Sequence, residues 1–449
     1  MKLLVRAGAV VSGGRADPGW VLAVDGAIAE VGSGPAPAAD RVLDAPGCAV
    51  LPGLVNCHDH LYQWATRGYA TSAGLFGWLT ELYPVWARLD AESVRAAARA
   101  GIARLLLSGC TLTTDHHYVF PRGQAGIFEA LVAAAGDLGI RFQPCRGSMS
   151  LGRSAGGLPP DEVVEDHDAI LADSERLVAA FHDPGSGSMC RVAIAPCSPF
   201  SVTPELMRDS AELARRHGLR LHTHLAETVD EEEFCLEKFG KRPVELLEDL
   251  GWTGADVWLA HGVHFSPPEI ERLGRSRTGI AHCPSSNMRL GAGACPLAEL
   301  GAAGARVGLG VDGSASNEDY HLAGEVRQAM LLARVRAVML GRPDAAAAMD
   351  SRSAWRLATA GGAECLGWPE VGVIEAGRRA DLALFRVDDL PHIAIADPLE
   401  ALALAPPARA HAVVVEGRVV VEDGRLANAD EEALARELRA ASDRLRRVA

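Results

Sequence analysis

The chain contains ten cysteines but no C-x-x-C pair. Neither a thiolate zinc knuckle nor a disulfide framework is indicated, and the scattered thiols read as reduced packing residues. No apolar run approaches the roughly 20 residues needed to cross a bilayer, so no membrane partner is expected. Arg6 interrupts the apolar stretch of MKLLVRAGAVV and no small-residue cleavage site follows. A secretory leader is therefore not expected, and the expected compartment is the cytoplasm. There is no Lys/Arg-rich run, and the formal net charge is −14. Nucleic acid attracts a clustered positive surface, so a nucleic-acid partner is not expected either. The H-x-E plus P-C-x-x-C signature of one zinc deaminase fold is also missing.

What remains has the balance of a soluble globular protein, with 48% hydrophobic and 23% charged residues. A length of 449 residues suits a large barrel with a smaller appended module. Residues 1–55 read as short strands punctuated by glycine (KLLVRAGAVV, GWVLAVDGAIAEVG, RVLDAPGCAVLPG), and the same texture returns over 368–427 (ADLALFRVD, AHAVVVEGRVVVEDG). These ends predict one small β-sandwich built from both termini. Residues 428–449 place Leu434, Leu438 and Leu445 at helical spacing and predict a surface helix.

Between them, 56–367 alternates apolar strands with amphipathic helices. In the unit 203–227, Thr203 suits a helix N-cap, Pro204 the first turn and Gly218 the stop, before the strand LRLHTHLAE. Repetition of this unit predicts an α/β fold, a (β/α)₈ TIM-like barrel of parallel strands. Its functional residues belong at the C-terminal strand ends.

Four such ends carry metal-binding and acid–base residue types. The first reads Asn56-Cys57-His58-Asp59-His60, and residues two apart on an extended chain point the same way. The fifth strand supplies His222, His224 and Glu227, the sixth His261, and the eighth ends at Asp312 within GLGVDGSASNED. Imidazole and carboxylate ligands suit zinc or a similar divalent ion, which lowers the pKa of water towards neutrality. A single H-x-H pair is weak, but these groups at four separate strand ends form a constellation. His222, His264 and His282 read as hydrogen-bonded core histidines, and His167, His182, His217 and His392 as solvated ones. Gly152-Arg153-Ser154-Ala155-Gly156 matches G-x-S-x-G, but it sits in a Gly/Ser-rich loop and reads as chance.

The segments PGLVNCHDH, HTHLAET, LAHGVH and GLGVDGSASN resemble the amidohydrolase superfamily, in its branch of purine, pterin and triazine deaminases. HLYQWATRGYA, LFGWLTELYPVWA, TTDHHYVFP, RGSMSLGRSAGGLPPDEVVED and HCPSSNMRLGAG are similar to the 8-oxoguanine deaminase subgroup. The resemblance spans nearly the whole chain and departs at Asn317-Glu318-Asp319-Tyr320, where a smaller, Ser-containing continuation is expected. It implies one divalent ion, zinc or alternatively iron(II), held by His58, His60, His224 and Asp312. It implies that Asp312 takes a proton from the attacking water, that Glu227 shuttles protons to the ring nitrogen and leaving amine, and that His261 steadies the reacting oxygen. It further implies a heterocyclic small-molecule substrate, most closely 8-oxoguanine converted to urate and ammonia, and a homo-oligomer. Isoxanthopterin, guanine and s-triazines fit the same core. Binuclear cyclic-amide hydrolases of this superfamily often bridge two ions with a fourth-strand lysine. The only lysines here are Lys2, Lys238 and Lys241, none in that region. Gln63, Arg146, His116 and Trp86 are the candidate substrate contacts.

Overall fold

A computed structural model of the chain describes residues 1–446. Eight strands pair in parallel and in chain order: β5 (Leu54–Asn56), β6 (Cys110–His117), β7 (Arg141–Ser148), β8 (Ala193–Pro196), β9 (Arg220–Leu225), β10 (Val257–His261), β11 (Gly279–His282) and β12 (Arg306–Leu309). Every residue of β6 and β7 is buried, as expected for strands covered on both faces. The first and last strands meet where the Cys57 amide donates to the Leu309 carbonyl (2.8 Å) and the Asp312 amide to the His58 carbonyl (3.0 Å). This closure makes the sheet a (β/α)₈ barrel and sets His58 and His60 beside Asp312.

The 203–227 unit follows its local signals. Thr203 accepts from the Leu206 amide at the start of the helix Pro204–Arg216, and Gly218 takes φ 66° before β9.

The two chain ends assemble β1 (Lys2–Ser12), β2 (Arg15–Val24), β3 (Ala27–Gly32), β4 (Arg41–Pro52), β13 (Leu382–Arg386), β14 (Ala412–Val415), β15 (Arg418–Glu422) and β16 (Arg425–Leu426). They form one continuous mixed sheet, ordered β16-β15-β14-β13-β4-β1-β2-β3. The long central strands β1 and β4 shift register near Ala7–Ala9, where Gly8 passes so close to the Pro46 carbonyl that a Cβ would lie 2.3 Å from it. Val5, Val21, Leu43, Leu382 and Val414 share one buried apolar cluster, so residues from both termini close over a common core. The final helix, Glu431–Arg446, buries Leu434 and Leu445 beside the helix Ala91–Leu107. Positions 447–449 of the predicted helix lie outside the described residues. No helix among the described residues is long and apolar enough to cross a membrane.

One buried ion pair ties the barrel to the mixed sheet. Arg141, opening β7, donates from Nε and Nη2 to the two carboxylate oxygens of Asp381 (2.9 Å each), and reaches Glu416 and the Ser188 carbonyl. Arg141 and Asp381 are both almost fully enclosed. Removing one member strands the other's charge in a dry interior, which costs about 3–5 kcal/mol. Arg141→Ala should therefore lower the unfolding free energy by about that amount, read from the urea midpoint.

Candidate active site

The strand ends converge at one rim, and several bend there through the left-handed region. Ala226, His261, Asp312 and Tyr320 have φ of 53°, 72°, 60° and 49°. A residue with a Cβ gives up about 1–2 kcal/mol in that conformation, and such positions concentrate at functional sites. Local bonds hold them. Asp312 is tied by its amide to His58, and Ala226 by its amide to Glu231 Oε1 (2.9 Å).

Hydrogen bonds determine the tautomer of each ligand candidate. His60 Nδ1 donates to the His116 carbonyl (2.7 Å) and His224 Nδ1 to the Cys197 carbonyl (2.6 Å). His222 Nδ1 donates to the Trp258 carbonyl (2.9 Å), so His222 Nε2 accepts from His58 Nδ1 (2.8 Å). Each of His58, His60 and His224 is left with an unprotonated Nε2, and these nitrogens face one point. His60 and His224 Nε2 lie 3.0 Å apart with no proton to share, and His58 Nε2 is buried without a partner. Asp312 Oδ1 lies 3.4 Å from both His58 Nε2 and His60 Nε2. Converging lone pairs beside a carboxylate repel unless a cation lies between them, so this donor set fits a divalent metal ion. Among the described residues, His58, His60 and Asp312, and His58, His224 and His261, are groups whose ligand atoms lie close enough to share an ion.

Electrostatics separates the two carboxyls. Burial alone would raise Asp312, but the close approach of His58, His60 and His261 holds it well below the carboxylate range. Ser286 Oγ (2.6 Å), Ser316 Oγ (3.2 Å) and the Gly313 amide (2.7 Å) also donate to it. Glu227 goes the other way: burial, then the charges of Asp312 and Glu231, raise it well above its ordinary value. Burial lowers His58, His60, His224 and His261, keeping the rings neutral. His261 Nδ1 donates to Asn287 Oδ1 (3.0 Å), leaving Nε2 3.5 Å from Glu227. Glu231 accepts the amides of Ala226 and Glu227 (2.9 and 3.0 Å), clamping the turn that carries Glu227. Burial raises Glu231 to about 7.

A small cavity opens over these groups and is lined by His60, Gln63, Glu227, His261 and Asp312 among others. Of the four sequence-derived substrate contacts, only Gln63 lines it. Arg146 points outward from β7 and is held by Glu165 (2.7 Å) and Asp173 (2.9 Å), because its neighbour Cys145 takes the inward position. His116 stacks on His224 (centroids 4.6 Å apart) and donates to the Ala195 carbonyl, outside the cavity lining. Trp86 is buried behind Tyr62 and donates to Thr66. His392 is enclosed between Asp389 and the Ala405 carbonyl rather than solvated. His282 is a core histidine, but neither ring nitrogen has a hydrogen-bond partner. Ser154 lies on an exposed turn bonded to Asp161, with no histidine partner.

The departing segment faces away from the cavity. Tyr320 is buried and its hydroxyl donates to Asp59, which also accepts from Asn56. Asn317 donates to the Val311 carbonyl, while Glu318 meets Arg289 and Asp319 meets Arg104. Its unusual residues thus brace the rim from behind. Sequence reading missed Ser286 and Asn287, although both stand in the distinctive HCPSSN segment. It also missed Tyr83, Tyr118 and Phe200 in the cavity wall.

The profile of the amidohydrolase family matches residues 49–420. The chain is similar to an 8-oxoguanine deaminase from Pseudomonas aeruginosa, 49% identical with 95% of each chain covered. It is also similar to an isoxanthopterin deaminase from an unknown prokaryotic organism, 38% identical over 88% of this chain and 87% of that one. The solved atrazine chlorohydrolase TrzN from Arthrobacter aurescens TC1, complexed with zinc, superposes with a TM-score of 0.92 at 34% identity, covering 98% of this chain and all of that one. With its barrel, its rim of histidines and aspartate, and these relatives, the chain belongs to the amidohydrolase family and is a hydrolase of C–N bonds.

Proposed function

We propose that the protein is a metal-dependent hydrolytic deaminase that converts 8-oxoguanine and water to urate and ammonia. The observation that carries the chemistry is the pairing of converging, unprotonated imidazoles with two carboxyls of opposite protonation tendency. The 8-oxoguanine deaminase relative supports the choice of ring.

His58, His60, His224 and Asp312 would hold a single divalent ion, which we assign as zinc, with iron(II) as the alternative. When bound, such an ion polarises water and lowers its pKa towards neutrality. The zinc complex of the atrazine chlorohydrolase supports the assignment. Asp312, ionised and steadied by Ser286 and Ser316, accepts a proton from the attacking water. Glu227, kept protonated by burial, delivers its proton to the ring nitrogen next to the amine-bearing carbon. It then takes the proton of the hydroxyl on the tetrahedral carbon and relays it to the departing amine, so that the ring carbonyl forms, ammonia leaves, and the proton held by Asp312 is returned to Glu227. Opposed pKa shifts suit these two roles. His261, with Nδ1 committed to Asn287, offers Nε2 as an acceptor to the hydroxyl on the tetrahedral carbon. Gln63 Oε1 accepts from the Ala315 amide (3.3 Å), which leaves Nε2 free to donate to a ring carbonyl.

The zinc-loaded protein should release ammonia from 8-oxoguanine faster than from guanine, isoxanthopterin or an aminotriazine. Glu227→Gln should reduce kcat about 10²–10⁴-fold, and Asp312→Ala should abolish turnover. Faster release from another ring would replace the substrate, whereas silence on all four with metal bound would overturn the reaction class. Glu231→Gln presents an amide NH₂ to one of two backbone N–H groups. Its kcat should fall roughly tenfold with KM nearly unchanged, and the Ala226 and Glu227 amides should exchange hydrogen faster. Unchanged kcat would exclude the clamp from catalysis.

A further inference from the structure

The proposed mechanism leaves the Tyr83 hydroxyl of the cavity wall unused. The helix Leu75–Trp86 turns Leu75, Leu79 and Tyr83 towards the cavity at helical spacing, and Phe200 and Leu290 complete the apolar lining. Tyr83 is 1% exposed, and its hydroxyl has no hydrogen-bond partner. A buried tyrosine hydroxyl ordinarily has one, so an orphan in the wall of a binding site calls for a ligand atom. Trp78, on the same helical face, has its indole N–H satisfied by the Ala315 carbonyl (3.2 Å). Tyr62 also has an unpartnered hydroxyl, but that residue does not line the cavity. Phenylalanine would fill the space at 83 equally well, so packing does not account for the oxygen.

Gln63 and Tyr83 both line the cavity and each keeps an unpartnered polar atom there. Gln63 is anchored to the segment after β12 through the Ala315 amide. Tyr83 lies near Cys197, which also lines the cavity, and near Tyr62, the residue preceding Gln63. A flat ligand filling the cavity would have to offer a polar atom to each of them, beyond the atoms that react.

We propose that Tyr83 is a specificity-determining residue. Its hydroxyl hydrogen-bonds the oxo-bearing edge of a bicyclic oxidised purine, remote from the amine that leaves. This rests on the deaminase reading above, and it explains how the site separates 8-oxoguanine from guanine, which lacks that oxo group. A site built to pair a polar substrate atom rejects the analogue lacking it, because its own group stays unpaired.

The test uses zinc-loaded wild type and Tyr83→Phe. Steady-state kinetics would be measured with 8-oxoguanine and guanine, and calorimetric affinity with their products, urate and xanthine. The expected result is a fall of roughly tenfold or more in kcat/KM for 8-oxoguanine and in urate affinity, with guanine and xanthine within twofold. The variant's melting temperature should not fall, since the lost hydroxyl had no partner. Equal losses for both pairs, or none for either, would overturn the proposal. A wild type that turns over neither purine would fail the deaminase reading, and the urate-to-xanthine affinity ratio would still judge Tyr83. A wild type that binds neither product would overturn the Tyr83 assignment as well.

Discussion

The geometry of the site depends on where three imidazole protons go. His60 and His224 each give Nδ1–H to a backbone carbonyl of a neighbouring strand end, and His58 gives its own to His222, which is held by the Trp258 carbonyl. These acceptors belong to the barrel backbone, so the rings cannot turn without leaving a buried carbonyl unpaired. Burial then keeps the rings neutral. The fold thereby presents unprotonated nitrogens at its mouth before any ligand arrives, which is the preorganisation that a metal centre requires.

Barrel closure is the second part of the same arrangement. Asp312 stands beside His58 because the last strand bonds back to the first through Cys57, His58 and Asn56, whose side chain accepts from the Val311 amide. Asn56 also donates to Asp59, and Tyr320 reaches the same carboxylate from the far side. The segment Asn317–Tyr320 therefore reinforces the seam between β5 and β12 and is not part of the cavity lining.

The left-handed residues follow from these constraints. His261, Asp312 and Ala226 turn sharply at the strand ends so that their side chains or neighbours face the cavity, and each conformation is unfavourable alone. Glu231 offsets part of that strain by accepting two amides of the turn after β9. The same carboxyl adds to the field that keeps Glu227 protonated.

Residue identity and spacing determined the barrel, the unit running from Thr203 to β9, and the strand-end positions of the candidates His58, His60, His224, Glu227, His261 and Asp312. These were legible because strand alternation and helix capping are local, and the chemistry concentrates in a few residue types at strand ends. That both ends build one β domain was legible in their shared texture, whereas the register joining β4 to β13 was not, since it spans more than 300 residues of chain. Tertiary structure alone decided the substrate-side residues. Arg146 and Cys145 are neighbours on one strand, and which of them faces inward depends on how β7 is set in the closed barrel. Tyr83 enters the wall only because its helix folds over the barrel mouth. Side-chain direction and long-range closure are properties of the packed molecule, so the chemistry could be read along the chain while the shape of the pocket could not.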